Sequence, residues 1–153
     1  MDALVKTGKT KAWGVSNWTS ARLQAAHNYA CTHGLHPPAM NSPQHSLAVP
    51  AQPVWPGCKH ITDEAAAFCE ERAITRMVWA PLAEGWMCGS LGRPESAVSW
   101  NTKENLMRRQ RLNQLAAARS VQPSTLALAY VTTLSNLFPP PYRLSSFRST
   151  REV

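Results

Sequence analysis

KAWGVSNW, residues 11–18, is the stretch on which the fold turns. It lies at the end of a β-prone run, TKAWGVS over 10–16, but its last residues are unlike a strand interior. Gly14 adds no packing and weakens a ladder, and Asn17 is poorly suited to strands. Two readings are open: a mere strand-to-helix turn, or a strand whose carboxyl end holds a ligand.

Immediately downstream, SARLQAAHNYACTHG reads as a helix capped by Thr19 or Asn17 and stopped at Gly34. Leu23, Ala26, His27 and Ala30 share one stripe at helical spacing. AMNS (39–42) is a short strand, and residues 42–60 read as loop, with prolines at 43, 50, 53 and 56 and Gly57. DEAAAFCEERA (63–73) reads as a helix with the acidic start that the helix dipole favours. ITRMVWA (74–80) is a second clear strand, and PLAEGWMCGSLGRPESAVSW (81–100) a long glycine-bearing loop of the kind that often binds ligands. TKENLMRRQRLNQLAAARS follows as a helix whose stripe joins Leu106, Arg109, Leu112, Leu115 and Ala116. Pro123 suits the first turn of a further helix, STLALAYVTTL. LFPPPYRLSS is a weak last strand, because Pro139 to Pro141 donate no ladder bonds. Strand and helix alternate, which means βα units around a parallel sheet.

Composition narrows the class. With 153 residues, 44% hydrophobic, the chain has the size of one ordinary domain and suits a packed core. No stretch approaches the ~20 apolar residues of a membrane span, and MDALVKTGKTK has no apolar run behind its charges. A cytoplasmic location is the expectation. Cys31, Cys58, Cys69 and Cys88 form no CxxC, and the five histidines form no HExxH, so no metal is expected. The net charge of +7 gathers at Lys6, Lys9 and Lys11 and at Arg108, Arg109 and Arg111. These clusters are either solvated helix ends or a site for a phosphate-bearing ligand or nucleic acid. No nucleic-acid module accompanies them, so nucleic acid is not the expected partner.

Taken in series, LVKTGKTKAWGVSNWTSARL, AMNSPQHSL, MVWAPLAEGWMCG, SVQPSTLALAYV and SSFRSTREV resemble the aldo-keto reductase family over nearly the whole chain. They resemble its fifth strand, sixth strand, seventh strand, the helix before its eighth strand, and the eighth-strand cofactor loop. The resemblance implies an α/β fold. Residues 1–153 would be the carboxyl-terminal half of a (β/α)8 TIM barrel, about strands five to eight with their helices. It also implies an oxidoreductase that reduces aldehydes and ketones with NADPH at the carboxyl ends of its strands.

By that resemblance Ser16 and Asn17 would hold the nicotinamide carboxamide, which offers one donor and one acceptor. Ser42 takes the place of a further carboxamide ligand. Trp79 stands where an aromatic stacks on the nicotinamide, with plain core packing as its other reading. Arg148 and Ser149 fall where the 2′-phosphate of NADPH binds, unless Arg148 is only a solvated charge. There are departures: Ser42 replaces a glutamine, His45 a tyrosine and Ser146 a glycine. The family's catalytic aspartate, tyrosine, lysine and histidine come from the first four strands, and Lys6, His27, Tyr29 and His33 are not those residues. The expectation is a partial NADP(H) site in an enzyme fragment without catalysis of its own, joined by self-association or by a missing amino-terminal half. The alternative is a noncatalytic assembly or binding protein built from a half barrel.

Overall fold

A computed structural model describes residues 1–90 and 92–134. The expected weak strand at 137–146, together with Ser146, Arg148 and Ser149, lies outside them. Helix α1 (Asp2–Lys6) precedes strand β1 (Gly14–Ser16), helix α2 (Ser20–Thr32), strand β2 (Met40–Ser42), helix α3 (Asp63–Glu71) and strand β3 (Thr75–Arg76). Short helix α4 (Ala97–Trp100), helix α5 (Lys103–Ala118) and helix α6 (Pro123–Leu134) complete the order. The strands form one parallel sheet in the order β1-β2-β3, with Gly14 opposite Met40 and Met40 opposite Thr75. Parallel neighbours need a crossover, and α2 and α3 supply it.

The helices start where the sequence places a hydroxyl. Thr19, Thr62 and Thr102 each accept from a backbone amide of the first turn, at 3.3, 3.1 and 3.1 Å. Thr19, not Asn17, therefore caps α2. Leu23, His27 and Ala30 are its buried face, while Ala26 of the expected stripe is only half-buried. Helix α1, which adds to the elements expected from sequence, is tied down by Asp2. Its carboxylate accepts from the His36 amide at 3.0 Å and pairs with Lys6 at 2.8 Å.

Gly14 has a reason that its sequence context does not reveal. A Cβ there would lie 2.6 Å from the Met40 carbonyl oxygen and 2.7 Å from the Met40 Cβ. Only glycine lets β1 approach β2 this closely.

Strand β3 is shorter than the expected 74–80 because Pro43 has no N–H to offer the neighbouring strand. Its carbonyl still accepts from the Trp79 amide at 3.1 Å, and pairing resumes as an isolated bridge between Gln44 and Trp79. The stretch expected as loop over 81–100 contains two 3₁₀ turns, Trp86–Cys88 and Pro94–Ser96, and α4.

Two apolar clusters hold the chain. Val15, Leu23, Cys69 and Ile74 pack between sheet and helices, edged by Trp13, Trp18 and Phe68. A second gathers Ala48, Ala83, Trp86, Met87, Trp100, Leu112 and Ala127. In α5 the buried residues are Asn105, Leu112 and Ala116, whereas Leu106 and Leu115 are exposed, contrary to the expected stripe. Asn105 turns the helix: its amide donates to the carbonyls of Val49 and Trp100 at 2.8 and 2.9 Å and accepts from the Val49 amide at 3.0 Å. Full satisfaction makes this buried polar side chain stabilising. Cys58 and Cys69 are buried free thiols, and Cys31 and Cys88 are exposed.

Candidate functional site at the carboxyl ends of the strands

Parallel strands end at one edge of their sheet, so β1, β2 and the segment after β3 bring their last residues together. Ser16 closes β1, and its hydroxyl donates to the Ser42 carbonyl at 2.8 Å. The Ser16 oxygen keeps its lone pairs for accepting. Asn17 follows in a left-handed backbone conformation at φ 56°, which Asn tolerates better than most residues. Its amide N–H donates to the same Ser42 carbonyl at 3.3 Å. Its side-chain oxygen accepts twice, from the Trp79 indole at 3.3 Å and the Lys59 backbone amide at 3.2 Å. The Asn17 Nδ2 group has no hydrogen bond among the described residues. The pair thus presents one unengaged donor group and one acceptor side by side.

Trp79 stands at this edge through Pro43 and His45: its amide donates to the Pro43 carbonyl, and its carbonyl accepts from the His45 amide at 3.4 Å. It is half-buried, and one face of its indole is stacked by Trp55, with ring centroids 4.6 Å apart and planes 29° from parallel. The next residue, Ala80, also has a left-handed φ of 48°. Ala73, Ala83, Glu84 and Ser120 share this conformation elsewhere in the chain, so it does not by itself mark the site.

Behind this edge lies a hydrogen-bonded layer. Gln44 is buried, its Oε1 2.5 Å from His60 Nδ1 and its Nε2 3.0 Å from the Ser46 hydroxyl, which donates on to the Ala48 carbonyl at 2.7 Å. Burial holds His60 below its ordinary pKa, and its Nδ1 faces the Gln44 oxygen, which can only accept. Burial, reinforced by His60 and Arg76, pushes His45 down to about 4. His45 and His60 border a cleft of about 400 Å³ that also has Asp63, Glu70, Arg76 and Tyr130 in its walls.

Of the residues singled out from sequence, Ser16, Asn17, Ser42 and Trp79 come together, Ser42 through its backbone carbonyl. Arg148 and Ser149 lie outside the described residues. The sequence reading missed Trp55, Lys59 and Gln44. A bulky aromatic among prolines in VWPG was the one signal that pointed to Trp55. Among the described residues no group of three or more His, Cys, Asp or Glu could hold a metal ion, and no helix is long and apolar enough to cross a membrane.

The model of the aldo/keto reductase family matches residues 1–142. A D-galacturonate reductase of Hypocrea jecorina is 28% identical over 130 residues, which cover 85% of this chain and 32% of that protein. A putative voltage-gated potassium channel subunit beta of Schizosaccharomyces pombe is 25% identical over 148 residues, covering 87% of this chain and 40% of that one. The chain therefore matches 32% and 40% of the length of these two curated relatives.

Proposed function

The chain belongs to the aldo/keto reductase family, and on that premise we propose that it carries part of an NADP(H) site on the carboxyl-terminal half of the family's barrel. Residues 1–153 are read as about strands five to eight of a (β/α)8 barrel. The described part of the chain, a parallel sheet with crossover helices, is compatible with such an arc.

The observation that carries the reading is the Ser16–Asn17 pair. A nicotinamide carboxamide has an N–H₂ that donates and a carbonyl that accepts. The Ser16 oxygen, its proton given to Ser42, is left to accept. The Asn17 Nδ2 group, its own oxygen held by Trp79 and Lys59, is left to donate. The polar groups therefore fit a carboxamide in one orientation, which fixes the ring face turned toward a substrate. The bound cofactor would supply hydride chemistry. These residues bind and orient it, Ser42 anchors both through its carbonyl, and Trp79 offers an aromatic face. Arg148 and Ser149 are assigned to the 2′-phosphate.

The catalytic aspartate, tyrosine, lysine and histidine are assigned to a part of the barrel that this chain does not contain. Among the described residues no tyrosine–lysine pair stands ready to protonate a carbonyl, and on this reading residues 1–153 by themselves bind without turning over. The purified chain should bind NADPH, with Asn17→Ala weakening binding about tenfold, the worth of one buried polar contact. It should not oxidise NADPH with simple aldehydes. Turnover by the purified chain, abolished in Trp79→Ala, would overturn the noncatalytic part of this reading. Failure of NADPH to bind at all would overturn the cofactor part.

A second reading, a noncatalytic assembly protein that pairs two such arcs, draws on the edges. Among the described residues β1 and β3 are each paired on one side only, and Met77 beside β3 is 50% exposed. Sedimentation showing a compact monomer at all concentrations would remove it.

A further inference from the structure

We propose that Trp55 belongs to the site: it takes a face of Trp79 that a flat heteroaromatic ring would use, so the closed strap and ring binding on that face exclude each other. This rests on the nicotinamide reading above and adds to it a residue that controls access.

The geometry is that of a clamp. Trp55 stacks on Trp79 at 4.6 Å, and the Arg93 guanidinium lies 4.9 Å from the centre of the Trp55 ring. Arg93 is itself held by Glu84, to which it donates from Nε at 2.8 Å and forms an ion pair. Glu84 accepts in turn from the indole of buried Trp100 at 3.2 Å. A third ring cannot enter between indoles at one stacking distance; they would need roughly twice that separation.

The strap that carries Trp55 is built to move as a unit. Its ends are fixed: the Ala51 amide donates to the Ser99 carbonyl at 2.8 Å, and the Lys59 carbonyl accepts from the Gln44 amide at 2.9 Å. Between them Trp55, Pro56, Gly57 and Cys58 form a turn closed by the Cys58 amide on the Trp55 carbonyl at 3.2 Å, with Gly57 at φ 87°. Proline and then a left-handed glycine in the central positions describe a type II turn. Such a turn is rigid in itself and presents Trp55 from its first position. The strap's outer residues are exposed, and Trp55 itself remains 38% exposed. Lifting the strap breaks the indole stack and the Arg93 contact, and it uncovers buried Cys58 and Val54, which packs on the larger apolar cluster. Ring binding is therefore weakened by the fraction of molecules in the closed state.

The test titrates NADPH and, separately, N-methylnicotinamide into the purified chain and into Trp55→Ala, Trp55→Phe and Arg93→Gln. Circular dichroism follows the exciton couplet of the stacked indoles. Trp55→Ala should abolish the couplet and tighten NADPH binding about three- to tenfold, the range set by one aromatic stack. Trp55→Phe and Arg93→Gln should fall between it and the unchanged chain. Equal or weaker binding by Trp55→Ala, with the couplet lost and the melting temperature kept, overturns the proposal, as does absence of the couplet from the unchanged chain. If no variant binds NADPH, the cofactor reading fails, and access is then judged by quenching of Trp79 fluorescence with N-methylnicotinamide. More quenching in Trp55→Ala supports the clamp, and unchanged quenching overturns it.

Discussion

The sheet end and the α4–α6 end of this chain are held in different ways. At the sheet, order comes from the backbone: short parallel strands, carbonyls shared by two donors, and a glycine where side chains have no room. Its apolar cluster is small, centred on Val15, Leu23, Cys69 and Ile74. At the other end the backbone winds through turns and left-handed residues, and order comes from filled volume. Trp100 and Met87 are fully buried there, with Trp86 beside them. A site that must present unengaged polar groups suits the first construction; a support that must not yield suits the second.

The largest expected effect breaks the volume-filled end. Trp100→Ala removes the largest fully buried side chain and its hydrogen bond to Glu84. It should cost about 3–5 kcal/mol in urea unfolding, enough to unfold a marginal domain. Next, Gly14→Ala attacks the sheet end through backbone alone. With a Cβ facing the Met40 carbonyl at 2.6 Å, it should cost about 1–3 kcal/mol, and it should loosen the Ser16–Ser42 contact enough to weaken NADPH binding. A destabilised but binding-competent Gly14→Ala would separate strand register from the site.

The junction between the ends is sensitive to acid. His45 sits 6.0 Å from Tyr130 of α6, ring to ring, and is held neutral down to about 4 against an ordinary 6.5. Between those values the unfolded chain binds a proton that the folded chain refuses. Stability is therefore complete above about pH 6.5 and falls as pH drops toward 4, by on the order of 1–3 kcal/mol. Urea midpoints on either side of that window should show the loss, and His45→Phe should flatten it. The smallest effect belongs to the exposed side of α5: Leu106→Ser should change stability by no more than about 0.5 kcal/mol. A larger loss, read from the melting temperature, would show that Leu106 packs after all.

The sheet end was the more legible. GVSN and AMNS mark strand ends because glycine, serine and asparagine interrupt β-prone residues, and Thr19 announces the helix that follows. What stayed hidden was long-range. Nothing in the neighbourhood of Gly14 reveals Met40, and nothing near Asn17 reveals that its oxygen is claimed by Trp79 and Lys59. The α4–α6 end misled for the opposite reason. Glycines in 81–100 suggested an open loop, yet the tryptophans among them form the larger core. In α5 a periodic count of leucines lost to Asn105, whose hydrogen bonds outweigh an apolar preference. Arg148 and Ser149 remain part of the proposed site on resemblance alone.

The free cysteines give the two constructions separate clocks. Cys69 faces the sheet from α3, against Asn41, Cys58 lies at the foot of the strap, and burial raises the pKa of both thiols. Cys31 and Cys88 stand open to reagent. A thiol-reactive dye should therefore label Cys31 and Cys88 early, Cys88 more slowly because burial raises its thiol too, and the other two only as their surroundings breathe. Timing Cys58 against Cys69 would measure how often the strap lifts relative to how often the sheet opens, with no ligand present.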